Sequence, residues 1–499
     1  MKSGTFKHVL LHEGLIAGLI LYFCFHGYVV HYGSISVSDL LTLFVVLFPL
    51  SLGLYRLFRA LFSDREKGII FTFFFILIIL FFGVFQDIIS GIRPVAGLGR
   101  LTVFLPVSIL TIICCFFFIR KIKSGFARLR SFLGVLLLVY LVVDMVSLAT
   151  QHEDAGSKQL GQPPRDTSGN YPGLGSVLAK PSVYLVLLDE YLGNEGLLSY
   201  FNYSNASFRQ FLSDHRFHII DHPSSNYNLT IYSMASMLNM QMIRNAGPAV
   251  ISNHYAYKNA LQLIEANKTA TIFQQQGYRF VNKSLFYVSG QAPAYSNGLL
   301  PDKMNLVQHQ TMYYRLAKAL PDLLDQRFGI KYFTKRNNQI ADDNNNRMCR
   351  EVLEESAIGS SLPTFTYLHL MLPHEPFIRD SLGRKAVLTN VDDSRNPEKV
   401  DTAYLQYLVY SNKKMASFID SLQTLTQQRA VILLMSDHGS RHVARKDPAY
   451  AYNNLIALYL PDGNYQSWYP GLSNVNAFPL LFNQLFNMNL PLVKDTIGY

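Results

Sequence analysis

The first 150 residues hold five apolar stretches, about Val9–Val30, Ser38–Tyr55, Gly68–Ile89, Leu101–Ile119 and Ser131–Leu148. No other feature restricts the fold as strongly. A bilayer core is crossed by a helix of roughly 20 apolar residues. Inside it every backbone N–H and C=O must be satisfied within the segment. A single stretch of this kind also fits a core helix or a signal peptide, but five in series with short polar loops fit neither. Residues 1–150 are therefore expected to form a five-helix transmembrane region.

The loops carry the orientation. Lys2 and Lys7 precede the first stretch, and the loop after it has no Lys or Arg. Arg56, Arg59, Arg65 and Lys67 fill the second loop, and Arg93 and Arg100 the third. Arg120, Lys121, Lys123, Arg128 and Arg130 fill the fourth. This alternation places the N-terminus and the second and fourth loops in the cytoplasm. Everything after Thr150 then lies on the extracytoplasmic side of the inner (cytoplasmic) membrane, to which a multi-pass chain is assigned. Of the net charge of +10, residues 1–150 supply +7. The basic excess is topological, and no nucleic-acid partner is expected. Of four cysteines only Cys349 follows the apolar region, so that part has no disulfide framework.

Residues 151–180 are polar and rich in Gly and Pro, and read as a linker. The exported domain, 181–499, opens on the apolar run Val183–Leu188, which ends in Asp189 and Glu190. Such a run fits a fully buried parallel strand. Ala430–Met435 repeats the design and ends in Ser436, Asp437, His438 and Gly439. Pro363–Met371 and Leu455–Leu460 add further buried strands. Phe217–Asp221 and Tyr278–Val281 read as shorter ones. Helical patterns cover Ile231–Met240, Ala256–Gln276, Thr402–Leu425 and Phe478–Phe486. Residues 283–360 offer no interpretable ligand cluster, and Asp342-Asp343 running into Asn344–Asn346 reads as a solvated loop. The alternation gives an α/β class, a mostly parallel sheet flanked by helices.

In such sheets chemistry lies outside the carboxyl ends of the strands. Four segments bring suitable groups there: Asp189-Glu190, Asn226–Ser236 with Thr230, His369–Phe377 with His374, and Ser436–His442. Carboxylates and imidazoles at strand ends suit Zn²⁺ or Mn²⁺. A hydroxyl nucleophile needs a base or a metal, and Thr230 opens a helix whose N-terminus favours an anion. Thr230 also fits a plain helix cap. Glu375 fits a solvated neighbour, and Arg441 and His442 fit either phosphate-oxygen donors or a solvated face. Asp87 and Asp144 sit near the outer ends of their spans, as interfacial groups or guides for a lipid headgroup.

The order of these segments resembles the sulfatase-like branch of the alkaline phosphatase superfamily, whose membrane-anchored members include lipoteichoic acid synthases and phosphoethanolamine transferases. The resemblance is strongest at Ser436–Gly439 and around Thr230, and implies an alkaline-phosphatase-like exported domain. It further implies that Asp189, Thr230, Asp437 and His438 hold the metal, with Glu190 as the alternative ligand beside Asp189. Thr230 would be the nucleophile, and His374 would contact the transferred group or protonate the leaving group. Sulfatases convert a Cys or Ser followed by x-Pro-x-Arg to formylglycine; here Thr230 is followed by Ile231, Tyr232, Ser233 and Met234. That favours phosphotransfer from a membrane phospholipid donor to a glycan, lipid or water acceptor. A phosphodiester or sulfate ester hydrolase of the same superfamily, or a catalytically silent envelope scaffold, are the other readings.

The charge alternation is directly testable. A reporter fused after Tyr499 is expected to be active only outside the cytoplasm, and cytoplasmic activity would overturn the orientation.

Overall fold

The structure, a computed structural model, describes residues 3–32, 35, 37–123, 125–157, 180–243, 254–295, 307–330, 332–386 and 397–498. The chain forms two compact units. A helical unit comprises Met1–Gln159 and Gly298–Ile330; a sheet unit comprises Leu160–Asn297 and Lys331–Tyr499.

In the helical unit the apolar stretches are all helical: α1 Ser3–Val30, α2 Val37–Phe62, α3 Arg65–Leu80, α4 Phe82–Gly91, α5 Leu101–Lys121 and α6 Phe126–Ser157. The third stretch departs from expectation. It is two helices, α3 and α4, bent by 60° at Phe81. By length and composition α2, α5 and Phe126–Thr150 qualify as spans, and the bent pair makes a fourth. Among the described residues the helical N-terminal region thus carries three or four such spans, with Gly14–Val30 of α1 as a shorter apolar helix beside them. The break has a tertiary cause. The Gly83 N–H donates to the Gln310 carbonyl at 2.6 Å. A Cβ on Gly83 would stand 2.8 Å from Arg315 Nε and 2.9 Å from the His309 carbonyl, so only glycine admits this approach. Asp87 and Asp144 are both paired. Asp87 accepts from Arg315 Nη1 and Nη2 at 3.0 and 2.7 Å. Both oxygens of buried Asp144 lie 3.1 Å from His26 Nδ1.

The rest of the chain runs β1 Val183–Leu188, α7 Asn194–Phe201, α8 Ala206–Asp214, β2 His218–Ile219, α9 Thr230–Asn239, α10 His254–Glu265, α11 Lys268–Gln275 and β3 Arg279–Lys283. It continues with α12 Met312–Phe328 (in the helical unit), α13 Tyr332–Ile358, β4 Thr364–Leu370, α14 Pro397–Leu425, β5 Val431–Ser436, β6 Ile456–Tyr459 and α15 Ala477–Phe486. The sheet order is β2-β6-β5-β1-β4-β3. β5, β1, β4 and β3 are parallel, while β6 runs antiparallel to both β5 and β2. Every residue of β1, β4, β5 and β6 is buried, as continuous apolar strands covered on both faces require.

Each face has its own core. Val183, Leu185 and Leu187 pack with Phe365, Tyr367, Leu433 and the buried residues of α9, α11 and α15. Tyr184, Val186 and Leu188 pack with Leu368, Leu370, Leu434 and side chains of α8, α13 and α14. The register levels the carboxyl ends, since Leu188 stands opposite both Leu370 and Ser436.

Two readings are corrected. The 256–276 stretch is two helices, separated where Asn267 caps α11 by accepting from the Ala270 N–H at 2.8 Å. The acidic and Asn-rich run from Asp342 is no solvated loop but part of α13. Asp342, Asn344 and Asn345 are buried. Asp342 pairs with Arg379, and Asn345 Oδ1 accepts from the Met371 N–H at 3.0 Å. Partners distant in sequence satisfy groups whose composition alone reads as wet. Residues 158–179, where the linker is expected, lie outside the described residues.

Neighbouring aspartates test this correction. Asp342→Ala leaves the half-buried Arg379 guanidinium with its bond to the Gly383 carbonyl alone and is expected to cost ~1.5 kcal/mol. Asp343 is exposed and bonds only Gln339 among the described contacts, so Asp343→Ala is expected to stay within ~0.5 kcal/mol. Urea unfolding of both variants measures the difference; equal costs would return the run to a solvated role.

Candidate metal centre and active site

Strand parity builds the site. Side chains alternate across a sheet with period two. Asp189 follows β1 in the phase of Leu185 and Leu187; Asp437 follows β5 in the phase of Leu433 and Met435. His369 lies within β4 opposite Leu187, in the phase of Phe365 and Tyr367. All three therefore rise from one face, the one that packs α9 and Thr230. Each offers a ligand atom, and these atoms lie within 4.8 Å of one another.

Hydrogen bonds aim the groups. Asp437 Oδ1 accepts from the N–H groups of Glu190 at 3.0 Å and His438 at 2.8 Å. Its Oδ2 is left 3.2 Å from His438 Nε2. The Asp437 carbonyl accepts from Ser233 Oγ at 2.5 Å and Asn474 Nδ2 at 2.9 Å, which pins the turn. His438 Nδ1–H donates to the Gly439 carbonyl at 2.7 Å. A carbonyl only accepts, so Nδ1 carries a proton, and Nε2 faces Thr230 Oγ1, 3.3 Å away. His374 Nδ1–H likewise donates to the Glu375 carbonyl at 2.7 Å. His369 Nδ1 bonds Tyr367 Oη at 2.9 Å, which leaves Nε2 turned to Asp189 Oδ2 at 3.3 Å. Outer partners of this kind orient metal-binding imidazoles.

Three buried atoms at this point have no hydrogen-bond partner, Asp189 Oδ1, His369 Nε2 and Asp437 Oδ2, and Glu190 Oε2, 3.9 Å from His374 Nε2, has none either. Buried polar atoms left unpaired are costly. Carboxylate oxygens beside imidazole lone pairs form the donor set a divalent cation takes. The residues present fit a metal.

The two aspartates divide electrostatically. Burial works to raise the Asp189 carboxyl, but His374, His369 and His438 hold it well below the usual carboxylate range. Burial and the Asp189 charge push Asp437 up. Burial opposes the charge on Glu190, yet His374 and Arg441 hold it down.

The expected residues fall into two groups. Asp189, Thr230, Asp437 and His438 meet. Glu190 is diverted to Arg441, accepting at Oε1 from its Nε at 2.7 Å and its backbone N–H at 3.2 Å. Glu190 has a left-handed φ of 63°, unusual without glycine; its N–H is held by Asp437, and its carbonyl accepts from Tyr404 Oη at 2.8 Å. His374 joins this second group, its Nε2 lying 3.0 Å from Arg441 Nη2. Glu375 pairs with His442 at 3.3 Å. Thr230 is the first residue of α9, not its cap: Leu229 takes that position without a side-chain bond. The sequence reading did not place His369 among the candidate ligands, because it lies inside a strand. Its signal was a histidine two residues before the end of a buried run, in phase with the aspartates. Gly439 is needed for space, since a Cβ there would collide with the Tyr450 and Asn453 carbonyls.

A parallel-centred sheet that delivers two carboxylates and imidazoles to a helix-borne hydroxyl defines a metal-dependent α/β enzyme. The chain belongs to the sulfatase family, whose model matches residues 184–480. No curated protein matches it. Among solved structures, the C-terminal periplasmic domain of EcEptC from Escherichia coli aligns at 13% identity and TM-score 0.38, covering 62% of this chain and 82% of that one. The C-terminal periplasmic domain of phosphoethanolamine transferase EptC from Campylobacter jejuni aligns at 14% and 0.38, covering 62% and 90%. The phosphonate monoester hydrolase SpPMH from Silicibacter pomeroyi aligns at 11% and 0.39, covering 64% and 76%.

The raised Asp437 carboxyl has a signed consequence. In metal-free protein its folded-state pKa exceeds the unfolded one. Folded protein then binds more protons, so this group's contribution falls as pH rises above the ordinary carboxylate range. Asp437→Asn is expected to raise the melting temperature of chelated protein near neutral pH while abolishing the stabilisation that added metal gives the parent. A fall in both states would exclude this electrostatic account.

Proposed function

We propose that this protein is a membrane-anchored, metal-dependent phosphotransferase that removes the headgroup of a phospholipid through Thr230. The observation that carries the proposal is the Thr230 hydroxyl, free of a capping role and 3.3 Å from His438 Nε2 at the start of α9. Asp189, Asp437, His438 and Thr230 would hold the ion, Zn²⁺ or Mn²⁺, with His369 as a further donor beside them. A bound ion supplies Lewis acidity: it lowers the pKa of a coordinated hydroxyl and offsets charge on phosphoryl oxygens.

The remaining work falls to the chain. Thr230 gives its hydroxyl proton to solvent water as Oγ attacks phosphorus, and a Thr–O–P bond forms as the lipid P–O bond breaks. The departing lipid oxygen takes a proton from His374. Burial lowers the affinity of His374 for that proton, but Asp189 and Glu190 more than compensate and raise it. Arg441, held by Glu190, keeps the His374 ring in place. The α9 N-terminus favours the anionic group. An acceptor hydroxyl of a glycan or lipid, or water, then gives its proton to His374 and attacks phosphorus; the Thr–O–P bond breaks and Thr230 Oγ takes back a proton from water. We place this chemistry on the extracytoplasmic side of the cytoplasmic membrane, in keeping with the loop charges.

Thr230 variants test the proposal. Thr230→Ser is expected to keep partial activity; Thr230→Ala and Thr230→Asn are expected to lose activity and the phospho-adduct seen by mass spectrometry. Because the residue makes no cap bond, all three are expected to stay within ~0.5 kcal/mol of the parent in stability. Turnover by Thr230→Asn would refute the nucleophile. Adduct formation with water as the sole acceptor would make the protein a hydrolase.

A further inference from the structure

The chain departs from the sheet unit at Asn297 and re-enters it at Lys331; Gly298–Ile330 packs with the helical unit instead. We propose that α12 is an interfacial helix whose apolar stripe docks in the boundary between headgroups and acyl chains of the bilayer.

The two faces of α12 differ. On one, Arg315 grips Asp87 through Nη1 and Nη2 at 3.0 and 2.7 Å, and its Nε donates to the His309 carbonyl at 2.8 Å. That clasp sets α12 against α3 and α4. On the other face Tyr313, Leu316, Leu320 and Phe328 recur at helical spacing. Tyr313 is 68% exposed, Phe328 74% and Leu320 39%. The clasp thus fixes which way the stripe points, which is away from the helices that hold it.

The occupant follows from continuity. The same unit carries the apolar spans α2, α5 and α6. α4, which α12 touches, also exposes Ile88 (57%), and Ile92 follows it at 48%. A large uncovered apolar patch marks a membrane or protein contact. An amphipathic helix with aromatic residues on its apolar face, joined to bilayer-spanning helices, suits the bilayer interface. The inference does not depend on the chemistry proposed for Thr230.

The test uses the full chain in nanodiscs of phosphatidylethanolamine and phosphatidylglycerol brominated near the headgroup end of the acyl chains. Tyr313→Trp, Phe328→Trp and Lys318→Trp are compared, Lys318 being exposed on the Arg315 side of α12. Trp468, the single native tryptophan, is buried in the sheet unit and supplies the baseline. The added fluorescence at 313 and 328 is expected to be mostly quenched by brominated lipid and blue-shifted, while that at 318 is quenched by aqueous iodide. Quenching of 313 and 328 by iodide and not by bromine would overturn the proposal. Shielding from both quenchers would overturn it in favour of a protein partner or a second copy. Equal bromine quenching at all three positions would remove the assigned orientation.

Discussion

Two buried carboxylates that repel each other set the terms for the sheet unit. Asp189 and Asp437 emerge on one face because β1 and β5 pair in parallel with their ends level. Neither can leave, since each continues a fully buried strand. Imidazoles from His369, His374 and His438 offset part of the charge on Asp189, but Asp189 Oδ1 and Asp437 Oδ2 stay unpaired. A cation resolves this more completely than any side chain nearby. Strand register, the histidine tautomers and the hydrogen bonds that pin the 436–439 turn all serve that one arrangement.

A second charge system lies beside it and has another purpose. Glu190 follows Asp189 directly, yet its left-handed backbone turns its carboxylate to Arg441. Arg441 in turn reaches His374. Adjacent acids thus enter different circuits, Asp189 with His369 and Asp437, and Glu190 with Arg441 and His374. Buried pairs of this kind stabilise little by themselves; their value is that they fix side chains near the reacting atoms.

The helical unit follows a different constraint. Its backbone must be satisfied internally wherever it meets lipid. The break at Phe81 obeys this rule because Gln310 accepts the Gly83 N–H. The segment that supplies Gln310 arrives from more than two hundred residues away, and it also pairs Asp87. A bend in one span and the neutralisation of an acid have the same cause.

Periodicity and composition were enough to reveal the apolar helices, the buried strands that end in Asp189 and Asp437, and the helix that opens at Thr230. Hydrophobic pattern encodes these locally: a strand buried on both faces must be apolar throughout, and a chain that breaks the run with acids marks its end. Other features arose only when distant segments met. The Asp342 run looked wet because Arg379 and Met371, its partners, come later in the chain. The third apolar stretch gave no sign of its 60° bend because the docking of 307–330 is invisible in its own residues. His369 opened one of the converging segments but was given no place beside Asp189 and Asp437, because sharing their sheet face depends on the order of strands. The sequence by itself determined which segments bury and where charge interrupts them. Tertiary structure alone decided which buried charges face one another, since pair energies depend on distance and dielectric between residues that sequence order does not bring together.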